Sequence, residues 1–223
     1  MILILLGPPG SGKGTQAQKT ARQLAVPHLS VGDLLRKEAA KQSALGKQIG
    51  ASLKQGELVS EAITLQIVRE RIQQTDCENG FVIDGFPRTV QQAQTFNKLL
   101  NKLRRKPDHV LWIDVDAESL LERLSGRRIC PNCKAIYHVK FRPPLKPGIC
   151  DRCGQILIQR SDDTPSVIEK RIRQSLTEME KLKSFYHAQG ILRTIDGNRE
   201  EWQISDEIMR IIRNVRLFMT IEV

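Results

Sequence analysis

Residues Gly7 to Thr15 read GPPGSGKGT and lie between the apolar run Met1–Leu6 and a stretch with helical periodicity. Glycine adopts backbone angles closed to other residues, so consecutive N–H groups of such a loop can turn toward one anion. Lys13 adds a positive charge, and the first turn of a following helix adds a partial one. The segment therefore predicts a phosphate loop. A plain turn from strand to helix would have no use for Lys13.

The loop departs at one position from the G-x-x-x-x-G-K-[ST] pattern of nucleoside-triphosphate-binding loops. Gly7, Gly12 and Lys13 fit the pattern. Gly14 stands where the hydroxyl residue is expected, and Thr15 follows one position later. The loop by itself indicates binding of a nucleoside triphosphate and does not identify the nucleoside.

Four cysteines form two C-x2-C pairs, Cys130 with Cys133 and Cys150 with Cys153, separated by sixteen residues. Each pair can direct two sulfurs at one tetrahedral ion, so the spacing predicts a four-thiolate zinc site. Four thiolates leave no open coordination position, which makes the metal structural. Two disulfides are the alternative, and a reducing compartment argues against them. Iron or cadmium would also suit four thiolates.

A second group of candidates follows the apolar segment Phe81–Ile83, where Asp84 opens the sequence DGFPR. An acid at the end of a strand beside a phosphate loop suits a magnesium site, directly or through water. A turn or capping carboxylate is the alternative. Arginine binds phosphate through a two-pronged fork, although spacing alone leaves most arginines as surface residues. The candidates are Arg36, Arg88, Arg123, Arg127, Arg128, Arg160 and Arg171.

Composition indicates an α/β enzyme core with a small insertion, since 223 residues with 40% hydrophobic and 27% charged residues are ordinary for a globular protein. No apolar run reaches the roughly 18 residues of a membrane span, and Met1–Leu6 is too short for a signal peptide. We therefore expect a cytoplasmic protein without membrane contact. The net charge of +10 favours anionic partners without choosing among nucleotides, nucleic acid and lipid headgroups.

Apolar segments alternate along the chain with helical patterns of ten or more residues. This alternation predicts an α/β fold, a parallel sheet with helices on both faces. The strand candidates are Ile2–Leu6, His28–Val31, Phe81–Ile83, His109–Val115 and Ile191–Ile195.

Helix starts are predicted where a capping oxygen precedes an acid or amide by three residues. The pairs are Ser30 with Asp33, Thr89 with Gln92, and Asn198 with Glu201. Thr164 followed by Pro165 is a cap followed by the favoured first-turn proline.

In combination these segments resemble the adenylate kinase family, nucleoside monophosphate kinases whose long form carries a zinc-binding lid. The resemblance covers nearly the whole chain, and Gly-Thr after the lysine is usual in that family. It rests on GPPGSGKGTQA from Gly7, LSVGDLLR from Leu29, QGELV from Gln55, DGFPRT from Asp84 with Gln92, GRR from Gly126, and RSDD from Arg160 with Arg171.

The resemblance implies three parts: a phosphate-loop core of residues 1–29, 60–125 and 164–223, a helical acceptor insert of residues 30–59, and a zinc-bearing β lid of residues 126–163. ATP would be held by Gly10, Ser11, Gly12, Lys13, Gly14, Thr15, Arg127, Ile136, Tyr137 and the backbone of Arg199. AMP would lie against Val31, Arg36, Glu57, Leu58, Val59, Gly85, Phe86, Pro87, Arg88, Gln92, Arg160 and Arg171. The catalytic set would be Lys13, Asp84, Arg88, Arg123, Arg160 and Arg171, with Asp162 and Asp163 shaping the lid hinge.

The implied activity is reversible phosphoryl transfer from Mg-ATP to AMP, giving two ADP, by a monomer with structural Zn²⁺. A kinase of UMP or CMP, or one using GTP, is the nearest alternative, because Val31 stands where the family usually has threonine. A zinc-ribbon nucleic-acid binder is an alternative of another class. It would leave the phosphate loop unexplained, and an aromatic content of 4% offers few rings for stacking on bases. Cys77 is expected to be an ordinary thiol, and the tail Leu217–Val223 has no assigned purpose.

Overall fold

The computed structural model describes the backbone of residues 1–219 and the side chains of residues 1–175 and 177–213. Residues 220–223, the end of the tail Leu217–Val223 to which no purpose is assigned, lie outside the described residues. Among the helices of the described chain, none is both long and apolar enough to cross a membrane.

Strands and helices alternate from the start of the chain, as the hydrophobic pattern predicts. The strands of the described chain are β1 (Ile2–Leu6), β2 (His28–Ser30), β3 (Phe81–Asp84), β4 (His109–Asp114), β5 (Arg127–Ile129), β6 (Ile136–His138) and β7 (Leu192–Asp196). The helices are α1 (Lys13–Leu24), α2 (Val31–Ala39), α3 (Ala44–Lys54), α4 (Glu61–Ile72), α5 (Val90–Lys102), α6 (Ala117–Ser125), α7 (Pro165–His187) and α8 (Glu201–Met219).

The main sheet contains five parallel strands in the order β2-β3-β1-β4-β7. All five predicted strands are present, with bounds that shift by one residue at some ends. Val31 begins α2 rather than ending β2, and Val115 lies beyond β4. Asp84 and Asp196 extend the ladder because they pair with Ser30 and Asp114. The predicted fold class, a parallel sheet covered on both faces, is confirmed.

The strands are apolar throughout because the sheet is buried on both faces. In β1 the side chains of Ile2, Ile4 and Leu6 pack into one core cluster, together with residues of α5 and α7. Leu3 and Leu5 pack into the other, against α1 and α8. The two cores hold β1 in the middle of the sheet and so fix the start of the phosphate loop that follows it.

A second, two-stranded antiparallel sheet of β5 and β6 lies in the lid segment, residues 126–163. An isolated bridge between Ile129 and Ile158 returns the chain beside β5. A small buried cluster that includes Cys130, Tyr137 and Cys150 forms its interior. The two core clusters of the main sheet are far larger, so the lid segment depends on another source of stability.

Two of the predicted capping pairs form side-chain contacts other than those expected. Thr89 caps α5 by accepting a hydrogen bond from the Gln92 N–H at 3.1 Å, as predicted. The Gln92 carbonyl oxygen accepts from the backbone of Arg88 at 2.9 Å and not from Thr89. Ser30 precedes α2 without a side-chain cap, because Asp33 is engaged by Arg36 at 2.6 Å.

The pair Asn198 and Glu201 is corrected by the structure. The backbone N–H of Asn198 donates to Asp196 in a turn, at 2.9 Å, so this residue lies before the helix start. The cap contact forms two residues later, where the side chain of Gln203 accepts from the backbone of Glu200 at 3.1 Å. Helix α7 starts after Thr164 with Pro165 in its first turn, although the threonine makes no side-chain cap bond.

Candidate active site

A cavity of about 1520 Å³ opens at the carboxyl ends of the parallel strands. In open α/β sheets this edge is the usual ligand site, since the loops that leave the strands converge there. Its walls come from the phosphate loop, the start of α2, the turn after β3, and β5 and β6 of the lid segment. The lining includes Gly10, Ser11, Gly12, Lys13, Gly14, Thr15, Arg36, Glu57, Leu58, Asp84, Gly85, Pro87, Arg88, Arg123, Arg127, Ile136, Tyr137, Arg160, Arg171 and Arg199.

The phosphate loop joins β1 to α1 through glycines that other residues cannot replace. Gly12 is the N-cap of α1 with a φ of 87°, a left-handed conformation. Gly10 has a φ of 89°, and a Cβ there would lie 3.0 Å from both the Leu120 carbonyl and Leu124 Cγ. Strain and close packing together require glycine at this position. The loop is thereby held against α6 with the N-terminus of α1 facing the cavity.

Lys13 is the first residue of α1, and its Nζ donates to the Pro8 carbonyl at 3.0 Å. The pKa of Lys13 is lowered to about 7, chiefly by burial; the charge of Asp84 opposes this shift and nearby arginines add to it. An ammonium group held among so many cations is stabilised when an anion binds next to it. The loop lysine is therefore poised for a phosphate group.

The arginines of the cavity show the same excess of positive charge. Burial lowers the pKa of Arg88 to about 10, with Arg171 and Arg36 adding to the effect. Burial also lowers the pKa of Arg160 to about 9, followed by the charge of Arg127. Guanidinium groups resist deprotonation, so such depressed values mark a site built to receive several negative charges.

Buried carboxylates hold two of these arginines in place. Arg127 pairs with Asp163, whose side chain has no exposed surface, at 2.5 Å. Arg171 lies 3.2 Å from Asp163 and 3.1 Å from Asp162. Burial alone would raise the pKa of Asp162, but Arg171 and the other arginines outweigh it and leave that pKa lowered. Asp162 is thus ionised, and the contacts with both acids fix the guanidinium groups at the cavity wall.

A second acid connects the acceptor insert, residues 30–59, with the lid segment. Asp33 accepts from Arg36 at 2.6 Å and lies 3.5 Å from Arg160.

The other arginine candidates make different contacts. Arg123 donates to the Gly197 carbonyl at 3.0 Å. The side chain of Arg199 pairs with Glu207, and the residue lines the cavity. Arg128, a candidate from the sequence, donates to backbone carbonyls and is absent from the lining given above.

The predicted acceptor residues divide into two groups. Gln92 and Val59 line a smaller neighbouring cavity of about 390 Å³, which shares Leu58 with the large one. Val31 and Phe86 line neither cavity. The Phe86 ring is fully buried and packs edge-on against Phe96, with ring centroids 5.2 Å apart. The side chains of Val31 and Phe86 both belong to the main core cluster, and contact of these two residues with a nucleotide stays a prediction.

Gln92 has one half of its amide already engaged. Its Oε1 accepts from the Arg88 backbone, so the group that it can offer to a base is the Nε2 donor. The side chain is 5% exposed, which restricts its rotation. Gln92 is thus suited to a base that presents a hydrogen-bond acceptor.

Tyr137 and Ile136 of β6 both line the large cavity. The Tyr137 hydroxyl accepts from the Asp151 N–H at 2.9 Å and lies 3.5 Å from Cys150 Sγ. It therefore supports the cysteine cluster and is not free for a nucleotide. The Ile136 side chain lies near the phosphate loop, because its Cδ1 is 3.7 Å from where a Cβ on Gly14 would be.

The four predicted metal ligands come together, with their sulfur atoms within 4.8 Å of one another. Cys130 and Cys153 sulfurs are 3.4 Å apart, and Cys133 and Cys150 sulfurs are 3.5 Å apart. Zinc–sulfur bonds of about 2.3 Å in a tetrahedron put sulfurs about 3.8 Å apart, so the cluster fits Zn²⁺. All four cysteines are free thiols, which counts against the disulfide alternative.

The fifth cysteine, Cys77, lies apart from this cluster. It is a buried thiol whose sulfur lies 3.0 Å from an Arg71 nitrogen, so its role is structural.

Asp84 ends β3 with its carboxylate toward the phosphate loop. A Cβ at Gly14 would lie 3.9 Å from Asp84 Oδ2, so the glycine that replaces the expected hydroxyl residue leaves room beside this acid. Asp84 Oδ2 also contacts Nε2 of His28. His28, Phe141 and Arg142 line the cavity without having been identified from the sequence as site residues, since none of the three lies in a motif.

Comparison with known proteins gives one family. The adenylate kinase family model matches residues 5–191. The adenylate kinase of Moorella thermoacetica is 46% identical over 199 residues, which are 89% of this chain and 92% of the relative. That of a Geobacillus species is 42% identical over 95% of this chain and 98% of the relative. That of Clostridium kluyveri is 45% identical over 92% and 94%.

The family match includes both the phosphate loop and the cysteine-bearing lid segment. They agree with the resemblance that the sequence motifs carry. The chain belongs to the adenylate kinase family.

Proposed function

We propose that the protein transfers the terminal phosphoryl group of Mg-ATP to AMP, reversibly, and gives two ADP. The observation that supports this most strongly is the joining of a phosphate loop and a ring of arginines in one cavity. Typical small-molecule sites measure about 300–1,000 Å³. A cavity of about 1520 Å³ with this surplus of cations has room and charge for two nucleotides whose phosphates meet.

The transfer needs alignment and charge neutralisation more than covalent help. In the proposed mechanism a phosphate oxygen of AMP attacks the terminal phosphorus of ATP, and ADP leaves as the bond to its oxygen breaks. Lys13 follows the moving group, while Arg88, Arg123, Arg160 and Arg171 neutralise its oxygens. An arginine at such a transition state contributes about 10³–10⁵-fold in rate.

Water is a competing acceptor, so the site must exclude it during transfer. We propose that the lid segment and the acceptor insert close over the nucleotides. Ion pairs already join the two, because Asp33 of the insert lies 3.5 Å from Arg160 and Arg36 lies 4.0 Å from Asp162. Opening of these parts is then expected to limit turnover.

Mg²⁺ would be held beside the phosphates by Asp84, through water, and would supply further charge neutralisation when bound. Glycine at position 14 keeps a side chain away from this carboxylate, since a Cβ there would lie 3.9 Å from Oδ2 and 4.0 Å from Oδ1. Zn²⁺ would bind Cys130, Cys133, Cys150 and Cys153 and stabilise the lid segment without entering the reaction.

ATP is assigned to the side formed by residues 10–15, Arg127, Ile136 and the backbones of Tyr137 and Arg199. AMP is assigned to the side formed by Arg36, residues 57–59, residues 85–88 and Gln92. The core of residues 1–29, 60–125 and 164–223 would remain fixed while the insert and the lid segment move. We propose a cytoplasmic monomer, since a four-thiolate site suits a reducing compartment.

The alternatives have less support. UMP, CMP and GTP kinases are not favoured by the family match or by the relatives. A zinc-ribbon nucleic-acid binder would leave the cavity and its arginines without a purpose.

The test is a coupled assay of ADP formation with AMP, UMP, CMP and GMP as acceptors, and with ATP and GTP as donors. We expect turnover with ATP and AMP and at least about tenfold lower kcat/KM with each other pair. Arg88→Lys keeps the charge but loses the fork, and should lower kcat/KM for AMP. Equal rates with UMP or CMP would show that the acceptor is not selected as proposed.

A further inference from the structure

The acid proposed to hold magnesium has one hydrogen-bonding partner among the described residues. His28 opens β2, and its Nε2 contacts Oδ2 of Asp84, which ends β3. The two strands are parallel neighbours, with His28 beside Val82 and Ser30 beside Asp84. The contact therefore reaches across the edge of the sheet where the cavity opens.

The contact does not belong to the hydrophobic core. The His28 side chain is 20% exposed and lines the large cavity, whereas Leu29, the next residue of β2, is buried in the main cluster. A residue that only completed the strand could be apolar and of similar size. The imidazole differs from such a residue because it directs an N–H donor at the carboxylate of Asp84, a residue that is 7% exposed.

The surroundings of Asp84 define what this donor does. Lys13 and Arg88 interact with the carboxylate through charge, and neither hydrogen-bonds to it. On the loop side, the position of a Cβ at Gly14 would be 3.9 Å from Oδ2 and 4.0 Å from Oδ1. A carboxylate rotates freely about its last torsion unless one oxygen is held, because that torsion is broad.

We infer that His28 is a positioning residue for phosphoryl transfer. By holding Oδ2 of Asp84, it keeps the plane of the carboxylate fixed and leaves Oδ1 free for the hydrated cation that accompanies ATP. Outer partners of metal-ligating carboxylates act in this way, and their loss typically costs about 10- to 100-fold in metal affinity or activity. The inference rests on the proposed function, because it assigns His28 a part in that same reaction.

The test compares variants that keep or lose the donor. His28→Gln retains an N–H donor, while His28→Leu and His28→Met retain only bulk. We expect kcat with Mg-ATP to fall about tenfold or more in both apolar variants, with KM for AMP little changed, and to recover in His28→Gln. His187→Leu, at the exposed end of α7, is the matched control and should leave kcat unchanged.

Two further measurements separate positioning from a merely structural effect. Mn²⁺ binding in the presence of a non-hydrolysable ATP analogue, followed by electron paramagnetic resonance, should weaken about tenfold in His28→Leu. Affinity for the analogue without metal should stay as in the wild type. In a double-mutant cycle with Asp84→Asn, the His28→Leu change should add little, because the two residues act through one contact.

Wild-type Mn²⁺ affinity in folded His28→Leu or His28→Met would overturn the inference, and so would fully additive effects with Asp84→Asn. Failure of His28→Gln to restore activity, while it unfolds at the wild-type temperature, would also overturn it. If the wild type itself transferred no phosphoryl group from ATP to AMP, the proposed function would fail. The metal-binding result would still report on the contact between His28 and Asp84.

Discussion

Arg127 donates two hydrogen bonds to the buried carboxylate of Asp163, from Nε at 2.8 Å and from Nη2 at 2.5 Å. Arg171 donates to the same carboxylate at 3.2 Å. Asp163→Ala leaves Arg127 without its partner in a poorly solvated wall and leaves Arg171 with Asp162 alone, and should lower the free energy of unfolding by about 3–5 kcal/mol.

Denaturant unfolding of the Asp163→Ala protein measures this loss. Glu178→Ala removes the partner of Lys181 in an exposed pair and is the matched control, with an expected change within about 1 kcal/mol. Equal small changes in the two variants would contradict the assigned role of Asp163.

Lys13 should take up a proton when nucleotide binds. Burial lowers its pKa to about 7 in the free protein, and bound phosphates must raise that pKa because they favour the charged form. At about pH 8 the free lysine is therefore largely neutral and the bound one charged. Below about pH 6 it is charged in both states, so no uptake is expected from this group.

Calorimetry of ATP binding in two buffers of different ionisation enthalpy measures the uptake. Lys13→Met should abolish the part that appears at about pH 8 and leave any other linked protons. Identical enthalpies in both buffers for the wild type at that pH would be inconsistent with a lysine poised in this way.

Metal removal should unfold the lid segment and spare the main sheet. The buried cluster of the lid is small and includes two of its own ligands, Cys130 and Cys150. Structural zinc supplies about 10–16 kcal/mol in zinc-finger peptides, more than such a cluster can replace. After treatment with a chelator, hydrogen exchange should accelerate in residues 126–163 while β1 and β4 keep their protection.

Metal analysis of the purified protein should find one zinc per chain, with Cys133→Ser reducing it and Cys77→Ser leaving it unchanged. Unaltered exchange in the lid segment after complete removal of the metal would show that zinc does not hold it.

Gly126 packs directly under the ring of His138. A Cβ there would lie 2.2 Å from His138 Nε2, and the ring cannot easily move because its Nδ1 accepts from the backbones of Lys140 and Phe141 at 3.0 Å each. Gly126→Ala should lower the free energy of unfolding by about 1–3 kcal/mol. Gly50→Ala, in the interior of α3 with a nearest contact of 3.8 Å, should instead raise it by about 0.5–1 kcal/mol.

Thermal unfolding of the two glycine variants gives the comparison. If the Gly126→Ala protein were as stable as the wild type and hydrogen exchange in the lid segment were unchanged, the lid segment would not depend on the close approach of Gly126 to the His138 ring.

Apolar runs predicted the parallel sheet because its strands are buried on both faces, as β1 illustrates with five buried residues in a row. The strand ends were less predictable. Asp84 and Asp196 are polar yet continue the ladder, whereas Val31 is apolar yet starts a helix. Strand ends depend on which backbone groups find partners, and residue type carries little of that information.

Motifs predicted many of the side chains that come together at the cavity and in the cysteine cluster, but not the contacts that orient them. His28 and Asp84 are 56 residues apart, and only the pairing of β2 with β3 brings them together. Tyr137 was expected to contact ATP, and its hydroxyl is directed at Cys150 and Asp151 instead. Packing in the folded protein decides which atoms of a motif residue face the cavity.

The central claim is that one cavity passes a phosphoryl group between two nucleotides. Its most direct test follows ATP labelled in the terminal phosphate after mixing with AMP and the protein. The label should appear in ADP formed from AMP, and unlabelled ADP alone should yield ATP and AMP. Label that remains in ATP, or is released as inorganic phosphate without labelled ADP, would contradict the account.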